Sequence, residues 1–279
     1  MKHLEEKIFK ALMIFASVTI LAVLLYILYV IISKGLPSLN WDMVSKIPSG
    51  GFYLGKEGGI LNAILGSIFL IAGSVLISMV ISLPVALYIN FVKRKDSKFS
   101  NTLRFAFDIL FGIPSIVYGA FGFMVMIYFG LQASLLGGII AVSLLVIPIM
   151  VRSIDEVAVS VPQDLIEALK SLGATQYETL KVIVKQISPG ITTAILLSVG
   201  RGIGDAATVL FTAGYSDSIP VSPMQPAATL PLAIFFQLSS PVEEVQNRAY
   251  AAALILTIII LILSFSTRYF GRKMSKSKL

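Results

Sequence analysis

A chain of 279 residues that is 56% hydrophobic and 13% charged lies far below the roughly 25% charged of an ordinary soluble domain. That balance excludes a water-soluble globular enzyme of this size and points to a bilayer. The net charge of +7 does not point to nucleic acid, because the basic residues flank apolar runs and form no contiguous polar domain. Cysteine is absent, which excludes disulfides and thiolate metal sites. The lone histidine, His3, sits in a polar N-terminal stretch.

A bilayer core needs ~20 apolar helical residues. Six segments qualify, at about 8–33, 60–92, 101–130, 134–152, 188–214 and 247–270. The first exceeds the apolar core of a signal peptide and has no small-residue cleavage site after it, so it is expected to stay as a span. Pro84, Pro114 and Pro148 fall inside spans, where each removes a backbone hydrogen bond and favours a kink. Gly112, Gly119, Gly122, Gly137, Gly138, Gly200, Gly202 and Gly204 are expected to let helices approach closely. Residues 1–279 are thus expected to form one all-α, polytopic transmembrane bundle of six spans.

Six spans put both termini on one side. The segments on that side, 1–10, 93–104, 152–187 and 268–279, hold 17 of the 22 Lys and Arg residues. The opposite loops hold Lys34, Lys46 and Lys56, with Arg248 near the edge, and 215–247 contains neither Lys nor Arg. Because positive charge stays inside, both termini are expected in the cytoplasm.

The longest inner segment, 152–187, reads as a short capped helix followed by a second helix start. Ser160-Val161-Pro162 opens it, with Pro near the first helical position. Asp164 and Glu167 in the early turns and Lys170 later match the helix dipole. Gly173 follows as a C-terminal cap, and Thr175 with Glu178 reads as a capping box. Leu165, Ile166, Leu169 and Leu172 give the short helix an apolar stripe. Such a helix fits a groove on a partner protein, or it is a capped connector lying on the membrane surface.

Arg201 and Asp205 are ionisable residues deep in the fifth span. Counted from Ser188, they lie ~20 and ~25 Å along it. Four residues apart, they share a helix face and can pair. Intramembrane charges are costly and usually mark a pathway, where Arg201 would offer an anion a planar donor fork and Asp205 would hold it between passages. The alternative is a static ion pair that positions span five. Asp108, four residues after Arg104, is expected to pair with it at the interface.

Glu167-Ala168-Leu169 followed by Gly173 resembles the EAA loop of bacterial ABC importer permeases. The usual pattern has a second Ala where Leu169 stands and ends in a Leu-Pro pair. Gly112-Ile-Pro114-Ser115-Ile-Val-Tyr118-Gly119 resembles the third-span signature of the phosphate-specific branch, of PstA and PstC type. Arg201-Gly-Ile-Gly204-Asp205 with Leu210-Phe211-Thr212-Ala213 resembles its Arg-x-x-Gly-Glu segment and sequel, Asp205 standing where that branch has Glu. Met224-Gln225-Pro226 and Leu230-Pro231-Leu232-Ala-Ile-Phe235 are similar to the PstA type.

The resemblance implies a MetI-like permease that carries inorganic phosphate into the cytoplasm across the bacterial cytoplasmic (inner) membrane. It implies as partners a second related permease, PstC-like, two PstB-like ATPase subunits and an external, PstS-like phosphate-binding protein. Glu167, Ala168 and Gly173 would form the ATPase-coupling loop; Arg201 and Asp205 would line the substrate path. No Walker phosphate loop occurs, so ATP is expected on another polypeptide, and neither catalytic residues, a metal nor a cofactor is expected here.

Two rivals stand beside this reading. The same architecture serves other oxyanions, such as molybdate or sulfate. Gly202-Ile-Gly204-Asp205 also spells the Gly-x-Gly-Asp of intramembrane aspartyl proteases. That chemistry needs two aspartates sharing a proton. Asp108, the other candidate, is expected only ~6–10 Å inside the boundary, against ~25 Å for Asp205.

Overall fold

The computed structural model describes residues 2–49, 57–93 and 97–276, with side chains described over 5–49, 57–93 and 97–266. Of the expected loops, 50–56 with Lys56, 94–96, Met1 and 277–279 lie outside the described residues. The helices are α1 (Lys2–Gly35), α2 (Trp41–Ser45), α3 (Leu61–Leu87), α4 (Lys98–Phe111), α5 (Ser115–Tyr128) and α6 (Leu135–Val159). They continue with α7 (Gln163–Ser171), α8 (Gln176–Ile203), α9 (Val209–Thr212), α10 (Leu230–Leu238) and α11 (Glu243–Lys276). No strand occurs among the described residues.

Five helices, α1, α3 with its continuation, α6, α8 and α11, are long and apolar enough to cross a membrane. The sixth expected span, 101–130, is α4 and α5 joined at a 97° bend. Pro114 causes the break: it caps α5 without side-chain help, and the residue before a proline avoids helical angles. The Tyr118 hydroxyl donates to Leu110 O at 2.8 Å, a carbonyl that also accepts the Ile113 N–H at 3.1 Å, so α5 is tied back to the end of α4 across the break.

The fourth span is longer than expected, since α6 runs to Val159 rather than stopping near 152. The fifth is displaced. Helix α8 begins at Gln176, on the capping box of Thr175 and Glu178, and ends at Ile203 instead of continuing to 214. Two glycines near its end, Gly202 and Gly204, weaken the helix, and the chain turns. The expected outer loop 215–247 also holds structure. Its apolar Leu230–Leu238 stretch folds into the bundle as α10, with Leu230 and Leu232 buried, although nine residues, ~14 Å, are too few to cross.

The heart of the bundle is a polar seam between α3 and α6. Ser74, Ser78 and Ser82 donate to the carbonyls of Ile139, Ser143 and Ile147 at 3.1, 3.3 and 3.4 Å. Ser143 returns a bond to Ser74 O. Lipid tails are as apolar as leucine, so such contacts and close packing, rather than hydrophobic burial, hold spans together, at ~0.6 kcal/mol per bond. Helix α8 then packs on this pair, with Ile183, Ile187, Ile191 and Ala194 in the shared core. Helix α1 meets α11 where the Gly35 backbone lies against Tyr250, while its most apolar window has no buried residue.

Candidate functional site

Helix α8 ends in the middle of the bundle, where Gly202 rests on Ile71, Val142 and Val146. Arg201 and Asp205 meet there, Arg201 Nη1 standing 3.6 Å from Asp205 Oδ1. They differ from the expected buried pair on one helix face. The Asp205 side chain is 3% exposed, but that of Arg201 is 47% exposed, and Asp205 lies past the helix end. Its other oxygen, Oδ2, accepts the Thr208 backbone N–H at 2.8 Å. The carboxylate therefore fastens the turn and holds the guanidinium at once. A Cβ added at Gly200 would meet nothing within 4 Å, and one at Gly204 would meet only the Gly200 carbonyl oxygen, at 3.9 Å. Arg201 thus faces a bare side of the subunit, and these two glycines serve no packing contact within the chain.

The turn after Asp205 rests on the start of α5. The Thr208 hydroxyl donates to Ser115 O at 3.1 Å. A Cβ on Gly119 would stand 2.8 Å from the carbonyl oxygens of Ala207 and Thr208, so only glycine permits this approach. The two segments singled out in the third and fifth spans, nearly ninety residues apart in sequence, form one unit around Arg201 and Asp205. Gln225 belongs to a neighbouring latch: its side chain accepts from Val221 N and Ser222 N, and its carbonyl accepts from Leu135 N at the start of α6.

Away from that turn, the short helix α7 links α6 to α8. Its C-terminus closes as expected: Gly173 has φ +79°, with Gly173 N donating to Lys170 O and Ala174 N to Leu169 O. These are the paired bonds of a Schellman cap. Leu165 and Ile166 pack on the core, whereas Glu167 and Ala168 face outward. Leu172 does not join the apolar stripe. It is 84% exposed, and Tyr177, at the start of α8, is 76% exposed. Pro162 sits just before the first helical residue.

Asp108 does not pair with Arg104. Arg104 reaches across from α4 to Asp155 on α6, Nε to Oδ2 at 3.0 Å, while Asp108 meets Arg152 at 3.5 Å. Arg152 also contacts Glu156. Charges four apart on one helix can pair, but here packing α4 against α6 offers each a partner across the interface. With Asp108 half-exposed on one ion pair and Asp205 buried on another, the two aspartates have separate arginines and no shared-proton arrangement. Asp155, missed in the sequence, is 4% exposed. Carrying the helical period of α6 seven residues further puts it on the buried face of Val151, Ile154 and Ala158, which would have revealed it.

Comparison with known proteins places these features in context. The chain is 34% identical over 248 residues to the phosphate transport system permease protein PstA of Haemophilus influenzae, covering 88% of this chain and 86% of that one. It is 32% identical over 277 residues to PstA of Pasteurella multocida, covering 99% and 97%, and 35% identical over 243 residues to PstA of Xylella fastidiosa Temecula1, covering 85% and 82%. Its fold is similar to a chain of the MetNI methionine ABC transporter in an inward-facing conformation, with a TM-score of 0.61 at 19% identity over 77% of this chain and 95% of that chain. The profile of the binding-protein-dependent transport system inner membrane components matches residues 82–276, more than half of the sequence, and the chain belongs to that family.

Proposed function

We propose that this chain is the PstA-type permease subunit of an ATP-driven importer, moving inorganic phosphate across the cytoplasmic membrane. The observation that carries the reading is the half-exposed Arg201 guanidinium, held over the buried Asp205 carboxylate where α8 stops inside the bundle. A planar fork of donors on a bare face suits a tetrahedral oxyanion. Asp205 offers a competing partner, so that phosphate can leave. Permease relatives named for phosphate transport over most of their length support the choice of substrate. Hydrolysis of ATP belongs to separate subunits.

The remaining partners are a second related permease against the Arg201 face, two ATPase subunits at α7 and an external phosphate-binding protein at the other end. The deciding experiment reconstitutes the complex and asks which oxyanion, presented on its binding protein, stimulates ATP hydrolysis and enters the vesicle. Phosphate is expected. Stimulation by molybdate or sulfate instead would reassign the substrate.

Orientation follows from the charge bias, with α7 and both termini cytoplasmic. Single cysteines at Ser218 and Ser171, both exposed, check it in a chain that has none of its own. Membrane-impermeant thiol reagent is expected to label Ser218→Cys in intact cells and Ser171→Cys only after permeabilisation. The reverse pattern would invert the topology.

The docking role of α7 is tested at Gly173. Its φ of +79° costs a side chain ~1–2 kcal/mol, but a Cβ there would meet nothing within 4 Å. Gly173→Ala adds that strain alone; Gly173→Phe adds bulk to the presented surface as well. The Phe variant is expected to lose most phosphate uptake while the bundle assembles, and the Ala variant to keep most of it. Wild-type uptake by the assembled Phe variant would make α7 a mere connector.

A further inference from the structure

The polar seam between α3 and α6 does not stop at Ser82. Two turns further along both helices, Asn90 Nδ2 donates to Asp155 Oδ1 at 2.6 Å, with the same 65-residue offset as the serine bonds. Here α3 has passed into a π turn, Tyr88–Val92, a form that often marks functional positions. Arg104 closes the cluster. Its Nε lies 3.0 Å from Asp155 Oδ2 and its Nη2 3.0 Å from Asn90 Oδ1, while Nη2 also reaches Asp155 Oδ1 at 3.1 Å. One carboxylate thus grips two elements, with Asn90 and Asp155 buried and the Arg104 side chain 18% exposed. Outside it, the Asp108–Arg152–Glu156 chain of charges runs over the same α4–α6 contact at 3.5 Å per pair.

Position gives this cluster its meaning. Asp155 stands four residues before the end of α6, from which α7 hangs. Arg104 sits on α4, which leads through the 97° break into α5. The first turn of α5 takes the Thr208 hydroxyl on Ser115 O, and Gly119 bears on the 207–208 backbone. A continuous chain of contacts therefore joins α7 to the turn that holds Arg201 and Asp205. A helix break with stiff segments on both sides is where a small displacement becomes a rotation.

We propose that Asn90, Arg104 and Asp155 form a positioning joint through which movement of α7 is passed to the α4–α5 break, and so to the Arg201–Asp205 site. Resting on the transport reading above, the proposal adds residues that touch neither phosphate nor ATPase yet set how much transport each ATP yields. Energy moves between distant sites along such packed, bonded networks.

The test uses the complete complex in vesicles, with phosphate uptake and ATP hydrolysis measured on one preparation. The double variant Arg104→Gln, Asp155→Asn removes both charges together and keeps amides that can bond. It is expected to hydrolyse ATP while the phosphate moved per ATP falls about tenfold, within the ~5–150-fold range of coupled sites. Arg104→Lys keeps the ion pair and is expected to retain most of the wild-type ratio. A wild-type ratio in the double variant overturns the proposal. If that variant does not assemble, Asn90→Ala, which strands no charge, decides: a reduced ratio supports the joint and an unchanged one overturns it. Wild-type complex that moves no phosphate would instead sink the transport reading, and this is seen before any variant is made.

Discussion

The double variant Arg201→Gln, Asp205→Asn is expected to assemble in the membrane at wild-type levels and to take up almost no phosphate. Removing Arg201 alone would leave Asp205, 3% exposed, as an unpaired buried carboxylate, and instability would confuse the result. Changing both residues avoids this. The carbonyl of the introduced amide can still accept the Thr208 N–H that Asp205 Oδ2 now takes at 2.8 Å, so the turn keeps its cap. What disappears is the charged fork. Two hydrogen bonds to a charged partner are worth ~1.5–3 kcal/mol each, so their loss is expected to slow uptake on the order of a hundredfold or more. Arg201→Lys supplies a point charge without the fork and is expected to fall between. Near-normal uptake by the double variant, normalised to assembled complex, would make the pair scaffold and move the path elsewhere.

Residues whose role is local were legible in the sequence. The capping box at Thr175 and the left-handed cap at Gly173 depend on neighbours within a few positions, and both stand where cap chemistry places them. The six apolar stretches all return as helix, but the third is broken, the fourth runs on to Val159 and the fifth is displaced. The end of α8 was harder. An apolar run such as 206–213 continues a span by composition, whereas in the fold α8 ends at Ile203 and the Asp205 bond to Thr208 N fastens the turn. The exposure of Arg201 was equally hidden, because sequence depth along a helix says nothing about which side is covered. Cross-helix partners were the least legible. Arg104 and Asp108 satisfy the spacing of an intrahelical pair, yet each finds its partner on α6. The serines at 74, 78 and 82 read as small residues until α6 supplies carbonyls at matching intervals.

Gly119→Val is expected to prevent the bundle from assembling, and Gly119→Ala to weaken it measurably. Both substitutions improve the intrinsic helix preference of α5, by up to ~1 kcal/mol for alanine, so propensity alone predicts stabilisation. Space decides otherwise. An added Cβ would stand 2.8 Å from the carbonyl oxygens of Ala207 and Thr208 and 3.0 Å from Thr208 Cα, all backbone atoms that no rotamer change can move. Overpacking of this kind costs ~1–3 kcal/mol for a single methyl-sized intrusion, outweighing the gain in propensity. Valine adds two further methyls against the same wall. Relief requires α5 to lift from the 205–208 turn, which would stretch the 3.1 Å bond from Thr208 to Ser115 O and disturb the support of Asp205. The Ala variant is therefore expected to lose uptake out of proportion to its loss of stability, because the strain falls on the turn that aims Arg201. Thermal unfolding of the purified complex, read alongside uptake per assembled complex, separates the two effects. A Val variant that assembles, melts and transports like the wild type would mean that α5 does not bear on the 207–208 backbone.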